Sequence, residues 1–200
     1  ATGRSMWTQP LAHSDVGLND ARGADRHSTA CVASQAAGLA ICTTGTGITV
    51  TLNLVDGTLR WASDSRPASD NGGFPRTRRS GLASPPRGDP GLANLPLVTN
   101  GHVVLLSPTS DRLKSVNLET GRPLWSRGRS GLEYVAAVTD RTLLAIGPTH
   151  VEGLDHATGR VSWRRRPGLV SGRGVRLSQG RYLVPLKSGR ITCLEIDTGH

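Results

Sequence analysis

The 200-residue chain carries 24 lysines and arginines against 15 aspartates and glutamates, a formal net charge of +9 at pH 7 with histidine neutral. Hydrophobic residues make up 36% of it, and no apolar run approaches the roughly 20 residues of a membrane-spanning helix, so no transmembrane segment is expected in this stretch. The positive charge is almost all arginine spread over turns, and Phe74, Tyr134 and Tyr182 are too scattered to form a base-stacking platform, so a solvated basic surface is expected rather than a nucleic-acid partner.

Residues 1–27 read as the end of one structural unit followed by a polar loop. Residues 28–61 hold short β-type runs, Ala30-Cys31-Val32, Leu39 to Cys42 and Ile48 to Leu54, punctuated by Gly38 and the Gly45-Thr46-Gly47 turn. Residues 62–95 lose hydrophobic periodicity and fill with Asp70-Asn71-Gly72-Gly73 and Ser84-Pro85-Pro86, which predicts an inserted surface loop.

Residues 96–125 form a clean unit. Pro96 to Leu106 is two strands around an Asn100-Gly101 turn, a strong hairpin signal; Lys114 to Leu118 is a third strand and Pro123-Leu124-Trp125 opens a fourth. Residues 134–163 repeat that plan with strands at Tyr134 to Val138, Thr142 to Ile146, His150 to Leu154 and Val161 to Trp163. Residues 174–200 give three more, at Gly174 to Leu177, Tyr182 to Leu186 and Arg190 to Ile196, and are expected to lack the fourth.

One motif ties these units together: a turn glycine followed four residues later by tryptophan. Its copies are Gly3 with Trp7, Gly57 with Trp61, Gly121 with Trp125 and Gly159 with Trp163, then a truncated Thr198-Gly199-His200; all four tryptophans belong to it. Gly121, Gly159 and Gly199 stand 38 and 40 residues apart. Four short antiparallel strands per unit of about 40 residues is the sequence signature of a β-propeller blade. The expectation is therefore an all-β propeller with about four blades covered, an excerpt of a larger ring of about 7–8 blades. Glycine in the turn takes a positive φ without steric cost, and the tryptophan is expected to lie flat on a neighbouring blade, burying about 200 Å² and offering one N–H to a carbonyl.

The units resemble the repeats of the quinoprotein-type (PQQ-like) β-propeller superfamily, whose blades end in an aspartate-rich turn, Thr-Gly and a docking tryptophan. The resemblance rests on Leu118-Glu119-Thr120-Gly121 with Trp125, Leu154-Asp155-His156-Ala157-Thr158-Gly159 with Trp163, Leu194-Glu195-Ile196-Asp197-Thr198-Gly199, and more weakly Leu54-Val55-Asp56-Gly57 with Trp61. It implies one of two kinds of protein: a dehydrogenase binding pyrroloquinoline quinone with calcium, or a non-catalytic propeller such as the outer-membrane assembly lipoproteins. The dehydrogenases show an adjacent-cysteine disulfide that this chain lacks. The expected function is accordingly a protein- or peptide-binding scaffold in an extracytoplasmic bacterial protein, with no cofactor; the alternatives are a fragment of a quinone-dependent alcohol or sugar dehydrogenase, which would take the quinone with Ca²⁺, and the sensor propeller of a membrane-anchored kinase.

Other constellations hold residue types that can carry chemistry. Cys31, Cys42 and Cys193 have no metal-ligand spacing, although a Cys31–Cys42 disulfide can be drawn across a hairpin turning near Ala36-Ala37; buried free thiols are the expectation. His150, Asp155 and His156 are close enough in sequence for a metal or acid–base site, but the turn before Thr158-Gly159 breaks the alternation that would unite them. The glycines of residues 45–47 and 168–174 precede no helix and are read as turns. Arg164-Arg165-Arg166 is read as a solvated outer strand or loop. No catalytic residue and no metal ligand is assigned, and no cofactor-binding residue is identified.

Overall fold

The computed structural model describes residues 5–9, 31–44, 48–64, 96–106 and 110–200. Four antiparallel sheets follow one another, each with its strands in chain order. The first comprises β1 (Cys31–Ala36), β2 (Leu39–Thr44), β3 (Ile48–Asn53) and β4 (Leu59–Asp64); the second β5 (Leu97–Thr99), β6 (His102–Leu106), β7 (Arg112–Asn117) and β8 (Pro123–Gly128). The third comprises β9 (Tyr134–Val138), β10 (Thr142–Ile146), β11 (Val151–Asp155) and β12 (Val161–Arg165), and the fourth has three strands, β13 (Val175–Arg176), β14 (Arg181–Pro185) and β15 (Ile191–Glu195). No helix occurs among the described residues, and hence none long and apolar enough to cross a membrane.

Burial shows how the sheets stand to one another. All five residues of β10 are buried, because a second strand is covered on both faces by neighbouring sheets, whereas β12 is exposed at every position but Trp163. The first strands approach one another, β1 with β5 and β5 with β9, so they run on the inside and the fourth strands on the outside. The core consequently lies between sheets. Leu39, Ile41, Trp61, Val103 and Leu118 fill the seam between the first and second; Leu106, Leu113, Leu143 and Leu154 that between the second and third; and Leu144, Ile146, Tyr182, Val184 and Ile196 that between the third and fourth. This is a β-propeller built of blades.

The hairpins turn where the sequence provides for positive φ. Asn100 and Gly101 adopt φ of 46° and 74°, and Ala37 and Gly38 adopt 50° and 74°, which places the first turn one residue later than Ala36-Ala37. The fourth strands run on past tryptophan, to Asp64, Gly128 and Arg165, because their partners still have backbone to pair: Asp64 faces Ile48 and Arg112 faces Gly128. In the fourth sheet β13 covers only Val175–Arg176, shorter than the Gly174 to Leu177 expected. Positions 65–95, which hold most of the expected insertion and Phe74, lie outside the described residues, as do Gly3 and the Gly45-Thr46-Gly47 turn.

A feature without a sequence signal recurs in all three complete sheets. Register between the third and fourth strands shifts between Thr51 and Leu52, between Ser115 and Val116, and between Gly153 and Leu154. The extra residues are Arg60, Leu124 and Ser162, each directly before the tryptophan. A bulge of this kind re-aims the following side chain. Here it turns Trp61, Trp125 and Trp163 toward the blade that follows.

In the backbone register of β1 and β2, Cys31 pairs with Thr44 and Ala33 with Cys42. Cys42 is buried on β2 and Cys193 is exposed on β15.

Candidate functional site: the blade seams

The repeated motif resolves into a contact between successive blades. The turn after each third strand closes with the glycine N–H donating four residues back, Gly57 to Asn53, Gly121 to Asn117, Gly159 to Asp155 and Gly199 to Glu195, at 2.8 to 2.9 Å. A polar side chain at that earlier position grips the turn. Asn117 Oδ1 accepts from the Thr120 amide and hydroxyl, both at 2.9 Å, and Asp155 Oδ1 accepts from the same groups of Thr158 at 2.8 and 2.5 Å. The Thr158 hydroxyl bond is the first cause holding the Asp155 carboxyl below its usual range, and the Thr58 amide does the same for Asp56.

Each indole then meets the turn of the next blade. Trp7 Nε1 donates to the Leu54 carbonyl at 3.0 Å, Trp61 to Leu118 at 2.7 Å, Trp125 to His156 at 3.0 Å and Trp163 to Ile196 at 3.1 Å. The same rings lie on the turn glycines: a β-carbon added to Gly57, Gly121, Gly159 or Gly199 would stand 2.5 to 2.7 Å from the facing indole. Those glycines have φ between 67° and 72°. Glycine is thus required twice over, by the turn and by the ring from the preceding blade. Opposite each tryptophan within its own sheet stands a small residue, Thr51, Ser115 or Gly153.

Arginines extend this contact in two blades. Arg127 donates through Nη1 to the Gly159 carbonyl at 3.2 Å, and Arg165 through Nε to the Gly199 carbonyl at 3.0 Å. Both stand two residues after tryptophan, a spacing visible in the sequence but unread there.

The largest departure from the sequence reading is Glu152. Its side chain is completely buried on β11, where cross-strand register sets it against Arg164. The Arg164 guanidinium contacts Oε1, Arg127 from the preceding blade approaches Oε2 to 3.3 Å as an ion pair without an aligned hydrogen bond, and His150 Nε2 lies 3.8 Å from Oε1. A carboxylate in so dry a position stays charged only if paired. Arg164, Arg165 and Arg166 are all exposed on or just after the outer strand β12, as expected of that run, while Arg164 also reaches Glu152 and Arg165 the Gly199 carbonyl. The equivalent of Glu152 is Val50 in the first blade and Lys114 in the second.

His150, Asp155 and His156 go separate ways. His150 faces Glu152, Asp155 holds its own turn, and His156 stacks on His102 of the second blade with ring centroids 4.6 Å apart and 23° between planes. Tyr134 and Tyr182, scattered in sequence, both enter the seam between the third and fourth blades. Tyr134 donates to the Gly172 carbonyl at 3.0 Å beneath the Arg173 guanidinium, and the Tyr182 hydroxyl accepts from the Gly174 amide at 3.1 Å. Burial pushes both phenols above the usual tyrosine range. Both rings are buried, so neither offers a stacking face.

Among the described residues, no three of histidine, cysteine, aspartate and glutamate converge as a metal-binding group. One shallow cleft of about 200 Å³ opens beside Ala37, Leu39, Arg60 and Glu119, between the first two blades.

Blades joined through a turn glycine and an indole define the class: a PQQ-like β-propeller of four-stranded repeats. The family model described as outer membrane protein assembly factor BamB matches residues 1–149, and the chain belongs to that family. Among solved structures, BamB from Moraxella catarrhalis is similar at 19% identity and a TM-score of 0.56, over 82% of this chain and 44% of that one. The computationally designed Ika4 protein is similar at 13% identity and 0.59, over 85% and 93%. The quinohemoprotein alcohol dehydrogenase ADHIIG from Pseudomonas putida HK5 is similar at 12% and 0.56, over 87% and 34%. At these identities the likeness is one of fold, and the chain spans less than half the length of the Moraxella protein. No curated protein matches the chain.

Proposed function

We propose that the chain is a non-catalytic interaction scaffold: PQQ-like blades of an extracytoplasmic protein that bind a protein or peptide through non-repeating loops and outer strands. In this reading the tryptophans are docking elements that hold blades in a ring, and no cofactor is taken up. The observation that carries it is how the polar groups of the repeat are used. Asp56, Asn117 and Asp155 hold their own turns, Glu152 holds Arg127 and Arg164, and the indole N–H groups hold the next blade. Membership of a family described by an outer membrane assembly factor supports both the scaffold role and the extracytoplasmic setting.

The experiment is a dye-reduction assay on the full chain supplied with pyrroloquinoline quinone, Ca²⁺ and a panel of alcohols and sugars, alongside crosslinking in bacterial envelope extracts. A specific crosslinked polypeptide without dye reduction is the expected result. Quinone-dependent turnover would overturn the scaffold reading and favour a dehydrogenase.

A further inference from the structure

Each seam has one equivalent pair of positions, the first residue of a second strand and the residue after the next blade's third strand. The pair is Leu39 and Leu118 between the first and second blades, His102 and His156 between the second and third, and Thr142 and Ile196 between the third and fourth. The equivalence is fixed by hydrogen bonding. Leu118, His156 and Ile196 each donate a backbone N–H to their own blade's first turn, at Gly101, Arg141 and Gly180, and each accepts the indole N–H of the preceding blade. Leu39 and Leu118 belong to one apolar cluster, yet the same place in the next seam holds two stacked imidazoles.

We propose that the His102–His156 pair makes the seam between the second and third blades acid-labile, so that protonation of the buried His156 ring loosens the Trp125 contact while the Leu39–Leu118 seam stays closed.

The geometry supplies the cause. His156 is 5% exposed, and the buried His102 Nδ1 and His156 Nε2 make no hydrogen bond with the described residues. A proton on His156 must be held in this dry contact, with the His102 ring stacked 4.6 Å away. Four groups face His156. On its own turn stands Asp155, engaged by Thr158; from the first turn of the blade come Asp140, 3.5 Å from Asn100 Nδ2, and the backbone carbonyl of Arg141; from the second blade comes His102. Burial first, then His102, hold the His156 imidazole below the ordinary value of 6.5, and the opposing pull of Asp155 and Asp140 does not reverse this. The folded state therefore binds this proton more weakly than the unfolded chain. Stability present above the unfolded value is lost as pH falls through it toward the lower folded value. Because the His156 carbonyl is the acceptor for Trp125, the loosening is reported by that indole.

The test is indole N–H hydrogen exchange followed by NMR on the full chain at pH 7.5 and 5.5, corrected for intrinsic exchange, with Trp61 as the internal control. Trp125 protection should fall relative to Trp61 between the two pH values. In a His102→Leu/His156→Leu variant, which copies the first seam, that difference should vanish, and His156→Gln gives a second non-titrating comparison if the leucine pair does not fold. Equal pH dependence of Trp125 and Trp61 in the unaltered chain, or an acid loss at Trp125 that survives the substitutions, would overturn the proposal.

Discussion

Gly159 lies so close under the indole of Trp125 that a β-carbon there would stand 2.5 Å from the ring, while Gly101, at nearly the same φ, has nothing within 4 Å of that position. The two glycines share a backbone constraint and differ in one contact. Gly101→Ala should cost about 1–2 kcal/mol, the penalty of placing an L-residue in the left-handed region. Gly159→Ala carries the same penalty plus overpacking against Trp125, a further ~1–3 kcal/mol. Urea denaturation of both variants separates these contributions, and equal losses would show that the indole moves aside without cost.

The partner of that glycine is the second test. Trp125→Ala removes a half-buried ring packed against the seam together with its bond to the His156 carbonyl, and a loss of about 3 kcal/mol is expected, the low end for aromatic truncations. Arg166→Ala on the exposed surface should change stability by less than about 0.5 kcal/mol. Small and similar effects at the two positions would remove the tryptophan from its docking role.

These contacts show what was legible in the sequence and what was not. Strand order, the Asn100-Gly101 hairpin and the turn glycines were readable because each is fixed by residues a few positions apart. The direction of the tryptophan was not, since Trp125 finds Gly159 and His156 in the following blade, and the bulge at Leu124 that aims it has no local signal. Spacing placed His150, Asp155 and His156 side by side, whereas the blades carry them to Glu152, Thr158 and His102. Glu152 was missed because nothing near it predicts burial; the Arg127 that meets it lies in another repeat. The Trp-x-Arg spacing of Arg127 and Arg165 was the one available hint.

Glu152 makes a prediction of its own. With a fully buried carboxylate, Arg127 at 19% side-chain exposure and Arg164 at 47%, the three charges are unequally desolvated. Glu152→Ala leaves two guanidinium groups without their partner and opens a cavity, for a loss of about 3 kcal/mol, the lower range for breaking a buried ion pair. Arg164→Ala should cost clearly less, because solvent screens its exposed half and Arg127 still faces the carboxylate. Thermal unfolding of both variants at low and high salt checks the ranking. A larger loss for Arg164→Ala would place the weight of the cluster on the outer strand.

The turn carboxylate of Asp155 responds to acid in the same sense as the histidine pair, in a more acidic window. Its carboxyl is held below the ordinary value of 3.8 by the Thr158 hydroxyl first and the Thr158 amide also, so the folded chain binds this proton more weakly than the unfolded one. The stabilisation is fully present above about pH 3.8 and is lost as pH falls through the lower folded value. Asn117 holds Thr120 with an amide oxygen in the same position of the second blade, which shows that the turn does not need the charge. Asp155→Asn should therefore leave stability at neutral pH within about 0.5 kcal/mol of the unaltered chain and flatten the acid limb below pH ~3.8. Acid titration of unfolding followed by tryptophan fluorescence reads both quantities, and an unchanged acid limb in Asp155→Asn would mean that another carboxylate governs acid unfolding.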